Sequence, residues 1–199
     1  MPTILGKDVG PIGYGMATLS TPPKFPPEEQ AIECLRSAAE LGALCFNAGE
    51  FYGLPTHNSL TLLQRFYSKY PEYEEKALVN VKGAMLPTFV PSGDPTVVRK
   101  SVETCLNQLG GKGRIDMFEL ARRDMSVSLD VQLGTLRDMV QEGKIGGVAL
   151  TEVNAETIKE AVKIVDIAAV EIELSLWCTD PLHNGILDTC AELGIPVMA

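Results

Sequence analysis

Asn47 and Tyr52 stand five residues apart at the end of a short apolar run, in the stretch Cys45-Phe46-Asn47-Ala48-Gly49-Glu50-Phe51-Tyr52-Gly53. A strand that ends this way hands an amide and a phenol to the rim of its sheet. Lys82 closes a second apolar run, over residues 77–82. A lysine brought beside a tyrosine in a partly dry site favours the phenolate and lowers the phenol pKa, giving a proton donor and acceptor near neutrality. Reduction of a carbonyl needs such a group.

These side chains can meet only if their strands lie next to one another. Apolar, β-rich runs at 9–16, 43–47, 77–82, 115–120, 146–150, 168–174 and 195–199 predict strands. Helices are predicted over 28–41, about 58–69, about 129–142, 155–165 and about 182–192. A further helix carries Val98, Val102, Cys105 and Leu109 on one stripe. Strict alternation at roughly 25 to 35 residues argues for βα units on a parallel sheet. Of the two parallel architectures, a doubly wound sheet would carry G-x-G-x-x-G after its first strand, whereas Gly13 and Gly15 run into a proline-rich loop. The expectation is therefore α/β, an incomplete (β/α)8 TIM barrel of about seven strands and six helices. It forms one domain over residues 1–199 and lacks the last strand and last two helices.

Residues two apart on a strand share a face. The third strand sets Val79 and Val81 against Leu78, Asn80 and Lys82, and the fifth sets Val148 and Leu150 against Gly147, Ala149 and Thr151. In the sixth, Val170, Ile172 and Leu174 oppose Ala169, Glu171, Glu173 and Ser175. If the β-branched faces meet the helices, Asn47, Asn80, Lys82, Glu119, Thr151, Glu171 and Glu173 point into the barrel near the C-terminal ends of the strands. Barrel interiors are normally layers of Val, Ile and Leu, and an unpaired buried charge costs several kcal/mol. Lys82 paired with Glu119 or Glu171 as a structural ion pair is one reading; a proton-transfer pair with Tyr52 is the other.

Composition narrows the function classes. The formal net charge is −9, which disfavours nucleic acid and anionic membranes as partners. Residues 1–20 lack a secretory pattern and no window approaches the roughly 18 apolar residues of a membrane span, so cytoplasmic residence is expected. Five widely spaced cysteines predict free thiols, and with only His57 and His183 no metal site is expected. His57 reads as a helix-start or surface residue. Trp177 and Cys178 read as either mouth-lining or packed under a loop, and Arg122, Arg123 and Asp124 as a rim salt bridge.

Six motifs in order, G-x-G-M, F-N-A-G-E-F-Y-G, V-K-G, D-M-F-E-L-A-R-R-D, G-G-V-A-L-T-E and V-E-I-E-L-S-L-W, resemble the aldo-keto reductases, and within them the fungal pyridoxal reductase branch. The resemblance runs from about Val9 to Ala199. It implies a (β/α)8 barrel binding NADP at its C-terminal face, reduction of a small-molecule aldehyde such as pyridoxal to pyridoxine, and a tetrad of Asp, Tyr, Lys and His. Tyr52 and Lys82 match the tyrosine, as proton donor, and the lysine that lowers its pKa. The aspartate position holds Asn47 and the histidine position Ala121. Gly15, Met16 and Asn47 fall at cofactor positions. Thr151, Glu152 and Glu171 stand where relatives hold the nicotinamide carboxamide.

Asn47 can accept a hydrogen bond from Lys82 but brings no counter-charge, so Lys82 is expected to be harder to charge than beside a carboxylate. Ala121 leaves space for a substituted aromatic aldehyde, and restoring histidine there is expected to weaken pyridoxal turnover relative to small aldehydes. The family continues past G-I-P-V-M-A with a nicotinamide-stacking tyrosine and phosphate-gripping loops. A second class is therefore carried alongside the first: a non-catalytic barrel fragment, or a binding or regulatory relative without turnover, with two unpaired strand edges.

Overall fold

Seven parallel strands stand side by side in the order of the chain in the computed structural model, which describes residues 2–199. They are β1 (Tyr14–Gly15), β2 (Cys45–Gly49), β3 (Leu78–Gly83), β4 (Met117–Leu120), β5 (Gly147–Thr151), β6 (Ile167–Glu171) and β7 (Val197–Met198). Between them run α1 (Glu28–Glu40), α2 (Ser59–Lys69), α3 (Pro95–Leu109), α4 (Leu129–Gln141), α5 (Ala155–Ala161) and α6 (Ile186–Leu193). A one-turn helix, Ala17–Ser20, follows β1. β1 and β7 lie at opposite edges of the sheet, so the architecture is an incomplete (β/α)8 barrel.

Local chemistry sets the helix ends. Asn58 Oδ1 accepts from the backbone N–H groups of Leu60 and Thr61 at 3.0 Å each, while Thr61 Oγ1 accepts from Asn58 N at 3.0 Å. This capping box satisfies donors that the first turn of α2 would otherwise orphan. Asp94 does the same for α3, whose first residue is Pro95 and whose end is Gly110 at φ +60°. The apolar stripes of the helices meet the outer face of the sheet, where Val79, Val81, Phe118, Val148, Leu150 and Val170 join one continuous core. Each such fully buried side chain contributes about 1.5–3 kcal/mol relative to exposure.

The inner face has a separate core at the N-terminal end of the strands: Cys45, Leu78, Met117, Ala149 and Ala169, covered by Ile4 and Val9. Ile4 belongs to a hairpin in which Thr3–Ile4 pairs antiparallel with Lys7–Asp8. Its turn residues Leu5 and Gly6 are both left-handed, at φ +50° and +76°, as a two-residue hairpin requires. Lys7 ties this plug to the sheet through Asp116 Oδ1 at 3.0 Å.

The structure corrects several expected boundaries. Of the strand expected over 9–16 only Tyr14–Gly15 pairs, because Gly10 turns at φ +73° so close to Gly42 that a Cβ would lie 2.2 Å from its carbonyl oxygen, and Pro11 has no N–H to donate. Val9 fills the plug instead. The sixth strand stops at Glu171 rather than 174, and Glu173, expected inside the barrel, is exposed, its N–H donating to Glu152 Oε1 at 2.9 Å. α5 ends at Ala161, and α6 begins at Ile186 after Gly185 at φ +81°. The five cysteines are free thiols. Among the described residues no helix is long and apolar enough to cross a membrane.

Candidate active site

The register of the strands gathers the expected polar groups. Asn47 stands opposite Asn80, Gly49 opposite Lys82, Lys82 opposite Glu119, and Thr151 opposite Glu171. The inward residues one step earlier, Cys45, Leu78, Met117, Ala149 and Ala169, are the apolar plug layer. The change from apolar to polar therefore takes one two-residue step on each strand, and the polar layer sits at the C-terminal ends.

Lys82 is the centre of that layer. Its Nζ donates to Asn47 Oδ1 at 2.9 Å and to Glu171 Oε1, and lies 3.2 Å from Glu119 Oε1. Asn47 donates its other end, Nδ2, to Glu171 Oε2. Asn80 Nδ2 donates to Glu119 Oε1 at 2.9 Å and to Glu171 Oε2 at 3.4 Å. The lysine and Glu119 side chains are 10% and 0% exposed. The ion pair read as one alternative from sequence is thus present with both glutamates at once.

Tyr52 reaches this layer from the loop that follows β2. Tyr52 is held by its backbone: its N–H donates to Gly49 O at 3.1 Å, and its carbonyl accepts from Ser20 Oγ at 2.7 Å and from Ser59 N at 3.0 Å. Its ring lies over Gly49, where a Cβ would meet ring carbons at 2.9 Å, so the glycine is the space in which the phenol packs. Phe51 packs edge-on against the same ring, with centroids 5.1 Å apart.

The electrostatics reverse two expectations. Burial raises the Tyr52 pKa; the Lys82 ammonium pulls it down, Glu171 and Glu119 push it up, and the net direction is upward. The phenol thus holds its proton near neutrality, where a lowered pKa was expected, because the same carboxylates that surround the lysine also face the tyrosine. Burial acts to lower the Lys82 pKa, yet the charges of Glu119 and Glu171 more than offset it and the net direction is upward. Lys82 is therefore easier to charge, not harder, since its counter-charges come from β4 and β6 and not from β2. Glu119 is pushed up to about 7, by burial first, with Lys82 pulling against and Glu171 adding to it.

A cleft of about 1020 Å³ opens onto this group. Gly15, Met16, Asn47, Tyr52, Lys82, Ala121, Thr151, Glu152 and Glu171, all singled out from sequence, line it. Phe51, Met85 and Arg122 line it too and were not foreseen; Arg122, in a motif read only as a rim salt bridge, was the available signal. No such bridge forms among the described residues: Asp124 accepts from Gly93 N at 2.8 Å and from Ser126, while Arg123 donates to Thr157 Oγ1 at 2.9 Å. His57 lies outside the cleft, stacked on Phe25 at 4.3 Å. Trp177 is 91% exposed, neither lining the cleft nor packed under a loop.

The wall bears on whether a nicotinamide fits. Thr151 Oγ1 is buried on it without a hydrogen-bond partner among the described residues, a hydroxyl free to meet a carboxamide. Glu152 is engaged with the backbone of Glu173, and Glu171 with Lys82 and Asn47. The donor set thus fits the group through Thr151, with the two glutamates already committed within the protein.

Comparison with known proteins bears on the family and the fold. The chain is 45% identical over 202 residues to "Probable pyridoxal reductase 2" of Schizosaccharomyces pombe, covering 100% of this chain and 60% of that protein. The fold matches the glycerol dehydrogenase AKR11B4 from Gluconobacter oxydans with a TM-score of 0.82 at 19% identity, over 94% of this chain and 58% of that one. It matches the aldo-keto reductase AKR11C1 from Bacillus halodurans in its holo form at 0.81 and 18%, over 99% and 64%. The chain thus spans 60% of the length of the yeast relative. The sequence profile described as "Aldo/keto reductase family" matches residues 11–199, and the chain belongs to that family.

Proposed function

We propose that this protein reduces an aldehyde, pyridoxal or a molecule of similar shape, with NADPH as reductant and Tyr52 as the proton donor. The observation that carries the reading is a buried lysine, paired with Glu119 and Glu171, that shares the wall of a large cleft with the Tyr52 phenol. Family membership supports oxidoreduction, and likeness to a yeast protein named as a pyridoxal reductase supports the substrate class.

When bound, a reduced nicotinamide supplies the hydride that the carbonyl carbon receives. The protein's own part is the proton. As the carbonyl oxygen gains negative charge, the Tyr52 O–H is the group positioned to donate to it; burial makes the phenol a weaker acid, so the donation depends on the neighbouring ammonium. The phenolate left behind faces the Lys82 ammonium, which stabilises it by charge. Glu119 and Glu171 keep that ammonium charged. Thr151 would meet the carboxamide, with Gly15 and Met16 on the neighbouring wall. Ala121, buried on the cleft wall, leaves room beside the phenol for a substituted ring.

The test is turnover of pyridoxal by the purified protein, followed as loss of NADPH absorbance, alongside quenching of NADPH fluorescence on binding. Tyr52→Phe is expected to cut kcat by about 100-fold or more, the scale of a positioned proton donor, while leaving cofactor binding within about twofold. Full activity of Tyr52→Phe would overturn the assignment. NADPH binding without turnover of any aldehyde would favour a binding relative.

A further inference from the structure

Asn47 makes two different hydrogen bonds that an ionised carboxylate could not make together. Its oxygen accepts from the Lys82 ammonium and its nitrogen donates to the Glu171 carboxylate, which itself accepts from the same ammonium. The three groups form a closed triangle across β2, β3 and β6, and Glu119 from β4 touches the lysine from the remaining side. We propose that Glu171 is a positioning residue, the counter-ion that holds and aims the Lys82 ammonium, and that the amide at Asn47 is what allows it to stand there. The proposal takes from the functional reading only that Lys82 is the lysine beside the proton-donating phenol.

Two carboxylates already meet one ammonium at this point, with Glu119 fully buried. A third carboxylate at position 47 would face Glu171 Oε2 across the contact that Nδ2 now fills, replacing a donor by a like charge. Conversely, an amide at 171 beside the present amide at 47 would leave Glu119 as the sole counter-charge. Acid and amide are therefore interchangeable between the two positions only if both change. This gives Glu171 a role through Lys82, distinct from contact with a cofactor. The titratable groups around the ammonium are Tyr52, Cys45, Glu119 and Glu171.

The experiment compares Asn47→Asp, Glu171→Gln and the double exchange. In ligand-free protein the Lys82 side chain is titrated by carbon-detected NMR of its ε position, with Lys82→Arg to assign the signal, and kcat and KM are measured in parallel. Glu171→Gln is expected to shift the Lys82 titration downward and to lower kcat by about tenfold, the scale of a mis-aimed catalytic group, with KM for NADPH within about twofold. Asn47→Asp alone is expected to lower kcat as well, although it brings in a charge. The double exchange is expected to restore both titration and kcat to within about threefold of the parent, a strong coupling between touching residues.

An unchanged Lys82 titration in Glu171→Gln, or a double variant no better than the worse single one, would overturn the proposal. A loss confined to KM for NADPH would overturn it in favour of direct cofactor contact. If the single variants fail to fold while the double variant folds, the pairing is supported; if the double variant also fails, the exchange is not neutral and the proposal falls. The titration is independent of turnover, so a protein without reductase activity would still decide it.

Discussion

The two ends of the barrel interior are built from the same strands and have opposite characters. At the N-terminal end Cys45, Leu78, Met117, Ala149 and Ala169 pack with Ile4 and Val9, which together with Cys45 form an apolar part of the cleft lining. Two residues further along, Asn47, Glu119 and Glu171 meet Lys82, and Asn47, Lys82, Thr151 and Glu171 open onto a cleft. Because the side-chain repeat of a strand is two residues, one step suffices to pass from an apolar layer to a charged site without changing the outer face, where the helices pack. Labour is divided between the two layers: the lower supplies stability, and the upper gives up some of it to hold charges.

Removing the cation from the upper layer has the largest expected effect. Lys82→Met leaves Glu119 buried without its ion pair. The expected loss is about 3–5 kcal/mol of stability above the folded Glu119 pKa of about 7, where the parent holds an ionised pair, together with loss of turnover. Urea denaturation checks it, and the deficit should shrink in acid, where Glu119 can take up a proton. A deficit independent of pH would mean that the carboxyl is not what the lysine satisfies.

Leu78→Ala makes the corresponding cut one step down the same strand. Leu78 is fully buried, so the expected cost is about 3 kcal/mol from lost transfer energy and the cavity left behind. Turnover per folded molecule should stay within about twofold, since Leu78 belongs to the plug layer and not to the cleft wall. A large fall in kcat at unchanged cofactor affinity would show that the two layers are coupled and that the division is wrong.

Much of this contrast was legible in the chain. Alternation in 77–82 and 146–150 already separated Val79, Val81, Val148 and Leu150 from the inward set, because the period of two is a local property. What could not be read was set by distant partners or by very short elements. The hairpin plug consists of two two-residue strands whose pairing depends on Leu5 and Gly6 turning left-handed, too little sequence to carry a periodic signal. The pKa directions of Tyr52 and Lys82 depend on Glu119 and Glu171 converging on one point from separate strands. Their inward face was foreseen, but the balance of burial against two carboxylates exists only in the folded geometry.

Glu119 gives the smallest and most diagnostic effect, on the slope of stability against pH. Its pKa rises from the ordinary value of 4.5 to about 7 in the folded protein. A group raised in this way binds its proton more tightly when folded, so its favourable contribution is complete below the unfolded value and is lost as the pH climbs through the folded one. Between those two values the protein should lose up to about 1.4 kcal/mol per pH unit on this account. Glu119→Gln keeps an oxygen for Asn80 Nδ2 and removes the titration. Urea melts at about pH 5, 6 and 7 should show the parent falling and the variant flat across that window. Parallel slopes would mean that Glu119 stays ionised throughout, and that the charged layer costs the fold less than its burial implies.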